Sequence, residues 1–328
     1  MTNQKEIINI IKTIFVYTYP IISFVGLVTN TLSFVIFSHK KFQNTIFYIY
    51  FRFILFFDIL CMMIPINKFF ESNLNIYIRD MSDSLCKFRY YYIYVVYPIS
   101  GWGLVIISID RFVSIAYPNR YLIRKRTIFQ ILVCLFILAY NLIYYIPMLF
   151  YYLKATSKFN NATNRTTTTY KCTNQNYPTE WFNIINTTIL PFLFMFLFTM
   201  LTLRVLFKTR KKSFQRTKCY NKSIRQRDIK FAVTSITLNI IFLLLNLPYG
   251  IYSLASFYIQ DFIDKDVQNL LYAIIYVPFY INLTTVFFIN VKVNSIFRNQ
   301  LMNFLLPKQI TYKLDSSQNG AGETKLVK

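Results

Sequence analysis

The chain alternates long apolar segments with short polar connections. Crossing the hydrocarbon core of a bilayer takes about 20 mostly apolar residues in a helix. Seven segments meet this length: 14–38, 46–67, 91–115, 128–151, 182–207, 231–258 and 267–291. Each is predicted to be a helix, because backbone polar groups cannot remain unpaired in lipid. The pattern therefore predicts an all-α membrane protein, a seven-transmembrane helix bundle over residues 14–291.

Polar segments flank the predicted bundle. Residues 1–13 are interpreted as an extracellular N-terminus. Residues 292–306 predict a short amphipathic eighth helix on the cytoplasmic side, and Phe297 and Leu301 are among the side chains expected to face lipid. Residues 307–328 are polar and predict a disordered cytoplasmic tail.

Charge gives the predicted orientation. Only 15% of the residues are charged, against about 25% in soluble domains. The net charge of +23 arises largely from Lys and Arg crowded into the connections 39–41, 119–127 and 204–230, which lie on one side of the bundle. Basic connections favour the cytoplasmic side, so we expect a plasma-membrane protein with its N-terminus outside and its C-terminus inside. No nucleic-acid-reading module accompanies the charge.

The connection after the fourth segment has two features of an extracellular loop. Asn161 and Asn164 each begin a glycosylation acceptor sequence. Of the five cysteines, Cys86 and Cys172 are the two expected outside, where a disulfide between them would hold this loop over the bundle. The alternative is two free extracellular thiols.

Between residues 26 and 305, the order and spacing of several residues resemble the pattern of the rhodopsin-like, or class A, G-protein-coupled receptors. The matching residues, in order along the chain, are Asn30, Asp58, Cys86, Arg111, Cys172, Pro191, Pro248 and Asn282. The spacing from Cys86 to Arg111 is the one that this family uses. The resemblance implies a receptor that binds an extracellular ligand and activates a heterotrimeric G protein, with arrestin as a further partner.

The chain also departs from the family pattern. Phe112 follows Asp110-Arg111 where the family has tyrosine, and Asn246 replaces the sixth-helix tryptophan. The motif that begins at Asn282 lacks its proline and its tyrosine, and Thr199 stands where the fifth helix usually has tyrosine. The fourth helix lacks its tryptophan. These departures indicate a divergent member, which we interpret as belonging to the neuropeptide-receptor branch.

The resemblance implies a switch at the cytoplasmic end of the third segment. Asp110 would hold the Arg111 guanidinium locally, and Asp228 would pair with it from the sixth segment. Breaking that pair would free the sixth helix to move and to open a cleft for the G protein. The simpler alternative is that Arg111 is one more basic residue at a cytoplasmic helix end.

A polar centre is expected in mid-membrane, where a charge is costly and usually functional. By resemblance, Asp58 would hold a sodium ion with Ser100, near Asn30 and Asn282. Asn246 would extend this centre. The alternative for Asp58 is a structural acid that is hydrogen-bonded within the bundle.

Aromatic residues suggest a ligand pocket toward the extracellular end. The candidate residues are Tyr90, Ile93, Tyr97, Tyr249 and Tyr276, although packing alone would also explain them. Ile93 stands where amine receptors of this family have aspartate, so a small biogenic amine is disfavoured. The seventh segment lacks lysine, which excludes a retinal Schiff base there.

The extracellular rim is acidic in sequence and favours a cationic peptide ligand. Its predicted acids are Glu71, Asp80, Asp83, Asp261, Asp264 and Asp266. The alternatives are a chemosensory receptor for a small molecule or a lipid, or a transporter or channel. The sequence contains neither internal repeats nor a catalytic constellation, and its single histidine is His39 in a connection, so an enzyme is not expected.

Overall fold

The computed structural model describes residues 2–43, 48–74, 76–117, 126–160, 165–173, 179–213, 222–259 and 263–306. The first span is helix α1 (Thr2–Ser38), followed by the short α2 (Lys40–Gln43). It begins at Thr2, well before the predicted residue 14, but its apolar membrane-length part starts at Tyr17.

The second span consists of two helices, α3 (Tyr48–Cys61) and α4 (Met63–Asn73). Pro65 explains the break, because it has no N–H to donate to the carbonyl of Cys61, four residues earlier. A 3₁₀ turn, Ile78–Asp80, connects α4 to the third span.

The third span is one unbroken helix, α5 (Asp83–Ala116). It begins eight residues earlier than predicted because Ser82 caps its polar first turn, where Oγ accepts a hydrogen bond from the N–H of Leu85 at 3.2 Å.

The remaining spans are less regular. The fourth is α6 (Thr127–Tyr144) with a 3₁₀ turn, Ile146–Phe150. The fifth is α7 (Thr179–Ile184), a π-helical turn (Ile185–Ile189) and α8 (Leu190–Ser213). The sixth is α9 (Lys222–Ile259). The seventh is α10 (Lys265–Asn282) with α11 (Thr285–Val293), and α12 (Ser295–Leu305) follows it.

Within the described residues, six helical segments are long and apolar enough to cross a membrane, and the bent pair α10–α11 makes a seventh if it is one span. The two helices of that pair meet at 46°. Apolar side chains also cover the outer surface, for example Phe136 and Phe150, which are 72% and 73% exposed. The predicted all-α membrane bundle is confirmed.

The third span lies at the centre of the bundle. Helix α5 packs against the second, fourth, fifth and sixth spans. Two buried apolar clusters surround it: one toward Arg111, which includes Ile107 and Phe242, and one toward Cys86, which includes Tyr97 and Tyr249. We refer to these two ends of the bundle as the Arg111 end and the disulfide end.

The sequence did not predict the β-hairpin between the fourth and fifth spans. Strand β1 (Tyr152–Asn160) pairs antiparallel with β2 (Arg165–Thr173), with Leu153 opposite Cys172 and Asn160 opposite Arg165. The predicted glycosylation sites Asn161 and Asn164 belong to the connection between these strands, which lies outside the described residues.

Helix α12 differs from its predicted environment. Phe297 and Leu301 are buried, and the Phe297 ring lies 5.2 Å from that of Phe37 in the first span. The prediction that these two side chains face lipid was wrong, because the helix turns them into the bundle. Asn294 caps the helix by accepting hydrogen bonds from the N–H groups of Ile296 and Phe297. Residues 307–328 lie outside the described part of the chain.

Candidate functional site

The predicted switch pair lies at one end of α5. Asp110 and Arg111 are both buried, at 5% and 4% exposure. The backbone carbonyl of Asp110 accepts a hydrogen bond from Ser114 Oγ at 2.6 Å. Asp228 is on α9, but its side chain is not among those described. The Arg111–Asp228 pair therefore remains a prediction.

Asn239 of the sixth span links its own helix to the third and fifth spans. It meets α5 at Ser108, one turn before Arg111. Its Nδ2 donates hydrogen bonds to Oγ of Ser108 and to Oγ1 of Thr199, each at 2.8 Å. Thr199 is the residue that stands in place of the usual tyrosine. Asn239 was not predicted to be functional, although an amide in the middle of an apolar span is a signal for a polar contact between helices.

Among the residues that the structure describes, Asp58 and several polar residues of the first span have buried polar atoms without partners. Within the described part of the chain, both carboxylate oxygens of Asp58 and both side-chain polar atoms of Asn30 lack a hydrogen-bond partner. The buried hydroxyls of Ser23 and Ser33 in the first span likewise lack a hydrogen-bond partner among the described residues. Ser100 of α5 is buried near Asp58, without hydrogen-bond geometry to either oxygen. Unpaired buried polar atoms are costly, so this region suits an additional polar ligand.

The other two residues of the predicted polar centre have contacts of their own. Asn246 is buried, and its Nδ2 donates to the carbonyl of Phe242, one turn earlier in the same helix, at 2.7 Å. Asn282 is the last residue of α10, where its carbonyl accepts from Thr285 Oγ1 at 2.7 Å. Thr284 Oγ1 similarly donates to the carbonyl of Ile281. These hydroxyl contacts compete with the helix and explain the break of the seventh span without the family proline.

Three of the predicted pocket residues come together at the disulfide end. Tyr97 Oη lies 2.6 Å from Tyr280 Oη, which joins the third and seventh spans. The Tyr249 ring of the sixth span contacts the ring of Tyr276, at 5.2 Å between centroids. Phe279 contacts the rings of Tyr97, Tyr249 and Tyr276 and so closes the group.

Tyr90 lies in a separate contact. Its ring stacks on Tyr151, at the end of the fourth span, with centroids 4.0 Å apart. Ile93 packs against the apolar cluster that includes Tyr97. The predicted pocket residues thus share one cluster but divide between two sets of ring contacts.

A buried amide network joins the third, fourth, fifth and sixth spans, and it was not predicted. Asn186 is in the π-helical turn, and its Oδ1 accepts from Trp102 Nε1 at 2.9 Å and from Tyr140 Oη at 3.1 Å. Its Nδ2 donates to Asn141 Oδ1 at 2.9 Å and to Tyr145 Oη at 3.2 Å. Nearby, Asn183 Nδ2 donates to Tyr249 Oη of the sixth span at 2.7 Å.

The predicted disulfide between Cys86 and Cys172 is present, with their Cα atoms 5.7 Å apart. Two acids hold the same strand pair. Asp80 Oδ1 accepts from the N–H of Cys172 at 2.9 Å, and Asp83 Oδ1 accepts from the N–H of Leu153 at 3.1 Å. The base of the hairpin is therefore fixed to both the third span and the turn before it.

These contacts change the interpretation of the acidic rim. Asp80 and Asp83 hold the hairpin, and Glu71 is 7% exposed and pairs with Arg79 and Arg89. The side chains of Asp261 and Asp266 lie outside those described, and Asp264 is exposed. Three of the six acids thus bind groups of this chain, so the rim no longer favours a cationic ligand.

The fold and these sites define a multi-pass membrane protein with a polar and aromatic core around a central third helix. A model of the family "7 transmembrane receptor (rhodopsin family)" matches residues 29–285, most of the chain. The chain belongs to this family, which places it among the receptors of the plasma membrane. Comparison with curated proteins gives no match.

Proposed function

We propose that the chain is a receptor that binds an extracellular peptide and activates a heterotrimeric G protein. In this proposal the disulfide end and the N-terminus face outward, and the Arg111 end and the C-terminus face the cytoplasm. The protein acts by changing shape and is not an enzyme. Family membership and the positive-inside pattern support this orientation.

The observation that carries the proposal is the course of α5. One unbroken helix runs from the disulfide at Cys86, past the aromatic group at Tyr97, to the buried pair Asp110–Arg111. A ligand that contacts the disulfide end therefore acts on an element that reaches the G-protein end. The sixth span touches α5 along this course through Asn239.

The hairpin supports a peptide as the ligand. It is anchored at its base by a covalent bond and by backbone hydrogen bonds from Leu153 and Cys172. A fixed two-stranded ribbon at the disulfide end offers backbone groups and side chains to an extended chain. Ile93 supplies no counter-ion for a small amine.

We further propose that Asp58 holds a sodium ion. The unpaired oxygens of Asp58, the amide oxygen of Asn30 and the hydroxyl of Ser100 are the oxygen groups that a hard cation prefers. The ion would supply a positive charge to a buried carboxylate and so reduce the cost of its burial. Asn246 and Asn282 remain predicted neighbours of this set, since their described contacts involve the Asn246 Nδ2 and the Asn282 backbone carbonyl.

The proposal is tested in cells that express the full chain with an epitope at each terminus. Antibody binding to intact cells should detect the N-terminal epitope alone, and endoglycosidase should shift the mass of the chain through Asn161 and Asn164. A peptide library screened with a promiscuous G protein should then give a concentration-dependent signal. A signal from lipids or volatile small molecules only would favour the chemosensory alternative, and substrate current without G protein would favour transport.

A further inference from the structure

Arg52 is a cation inside an apolar membrane span. It lies one turn after Tyr48, near the start of the candidate span Tyr48–Glu71 and at the Arg111 end of the bundle. Its guanidinium carbon is 5.0 Å from the centre of the Phe34 ring in the first span. A cation over the face of an aromatic ring is attracted to it, so this contact holds the guanidinium between the first and second spans.

No acid of the described chain neutralises Arg52. Among the described residues, no carboxylate lies within salt-bridge distance of it, and its Nε is buried without a hydrogen-bond acceptor. The sequence contains no acid between Glu6 and Asp58. Asp58 lies about 9 Å further along the helix axis, and both its oxygens lack a described partner, so it is not the counter-ion. A cation inside a membrane span is costly without a partner, which must here come from outside the described residues.

The side of the second span that bears Arg52 faces the surrounding lipid. Phe56, four residues further on the same face of α3, is 49% exposed. Val35, the residue after Phe34 in the first span, is 44% exposed. Neither Nη atom of Arg52 has a hydrogen bond among the described residues, and Nε alone is enclosed, so the paired Nη donors remain accessible at this surface. A long arginine side chain one turn from a helix end can direct these donors toward the lipid headgroups.

The connection between the first two spans adds positive charge at the same corner of the bundle. The short helix α2 bears two exposed lysines, Lys40 and Lys41. The Phe37 ring contacts the Phe42 ring of α2 at 5.0 Å and stacks on the Phe51 ring of α3 at 4.9 Å, both measured between centroids. Phe51 directly precedes the arginine, so these ring contacts hold the lysine-bearing helix beside it.

We propose that Arg52 binds the phosphate of an anionic phospholipid from the leaflet at the Arg111 end. The planar guanidinium offers paired N–H donors to two phosphate oxygens. The lysines of α2 favour a headgroup with net negative charge over a zwitterionic one. The acyl chains lie along the apolar surface beside Phe56 and Val35. In the orientation proposed above, this is the cytoplasmic leaflet, where anionic lipids are found.

The test measures lipid binding to the purified full chain by native mass spectrometry. The probes are dioleoylphosphatidylglycerol and dioleoylphosphatidylcholine, which have the same acyl chains and differ in headgroup charge. The native chain should bind the glycerol lipid about fivefold or more tightly, since each cation near a headgroup contributes roughly a factor of five. Glycerol 3-phosphate at the same concentration carries the phosphate without acyl chains and should not compete. Competition by it would show a free phosphate as the occupant and would overturn the lipid proposal.

Variants connect the lipid preference to one arginine. Arg52→Gln should remove most of it, and Arg52→Lys, which keeps the charge without the paired donors, should restore only part. Phe34→Leu leaves the charge in place and removes the ring beneath it, so it should weaken the preference and tests the site even where Arg52→Gln does not fold. Arg204→Gln is the matched control, because Arg204 is an exposed arginine at the same end of the fifth span.

Diffuse attraction between a basic membrane face and anionic lipid would affect both arginines alike. Equal binding of the two lipids by the native chain, equal losses in Arg52→Gln and Arg204→Gln, or full recovery in Arg52→Lys would therefore overturn the proposal. The assay contains neither an extracellular ligand nor a G protein, so its outcome is independent of the proposed receptor function.

Discussion

The side-chain amide of Asn239 donates a hydrogen bond to Oγ1 of Thr199, 2.8 Å away. The same nitrogen donates to Ser108 on the central helix, so one residue of the sixth span holds both the third and the fifth spans. Opening a cytoplasmic cleft by moving the sixth helix would have to break both bonds. Thr199 thus has a defined partner although the family tyrosine is absent.

Replacing Asn239 with leucine should raise basal signalling. Each net hydrogen bond contributes about 0.5–1.5 kcal/mol, so losing two shifts a two-state equilibrium by roughly fivefold or more. The measurement is ligand-free G-protein activation at equal surface expression. Thr202→Val is the matched control, because Thr202 Oγ1 donates to the carbonyl of Phe198 in its own helix. An Asn239→Leu basal signal no higher than that of Thr202→Val would contradict the role assigned to Asn239.

Asp228→Ala and Asp110→Asn should also raise basal activity. Each removes a carboxylate that is expected to hold the buried Arg111 in the resting state. The double variant Asp228→Ala, Asn239→Leu tests whether the ion pair and the Asn239 hydrogen bonds act independently. Independent contacts shift the equilibrium by the sum of the two single free-energy changes, and coupled contacts do not. Unchanged basal signalling in both single variants, at matched expression, would exclude the ion pair.

The spans were predictable from the sequence because a bilayer imposes their length. The disulfide was predictable because, of the five cysteines, Cys86 and Cys172 are the two outside the predicted spans and the basic connections. The sequence could not predict which amide meets which hydroxyl. Asn186 and Trp102 are 84 positions apart, and their contact depends on helix rotation, which hydrophobicity alone does not define. For the same reason Glu71 looked like part of an open acidic rim, although the fold turns it toward two arginines.

Sodium should stabilise the purified chain through Asp58. At about ten times Kd, a ligand that binds only the folded state adds roughly 1.4 kcal/mol, which corresponds to a rise of a few degrees in melting temperature. Sodium chloride is compared with N-methylglucamine chloride at equal ionic strength. Asp58→Asn should abolish the difference, because it removes the carboxylate charge while keeping the shape. A sodium effect that survives in Asp58→Asn would place the ion elsewhere.

Removing the disulfide should destabilise the disulfide end. Cys86→Ser together with Cys172→Ser should lower the free energy of unfolding by about 2–5 kcal/mol. The measurement is thermal unfolding and cell-surface yield under non-reducing conditions. Cys134→Ala is the control, since Cys134 is a free buried cysteine outside the hairpin. Alkylation of both Cys86 and Cys172 in the unreduced protein would show that the bridge does not form in cells.

Asn186→Leu should destabilise the fold more than the same change at Asn246. Asn186 satisfies the Trp102 indole N–H and the Asn141 side chain, and each buried partner left without a hydrogen bond costs about 1–3 kcal/mol. Asn246 is equally buried, but its described side-chain bond is a donation by Nδ2 to the carbonyl of Phe242 in its own helix, a carbonyl that also accepts the backbone N–H four residues later, so Asn246→Leu leaves no partner unsatisfied. The two variants therefore match in burial and in chemical change and differ in how many spans they disconnect.

The measurement is the melting temperature of each variant in lipid nanodiscs of the same composition, where Asn186→Leu should lie several degrees below Asn246→Leu. Equal melting temperatures would mean that the network around the π-helical turn adds nothing beyond local helix contacts.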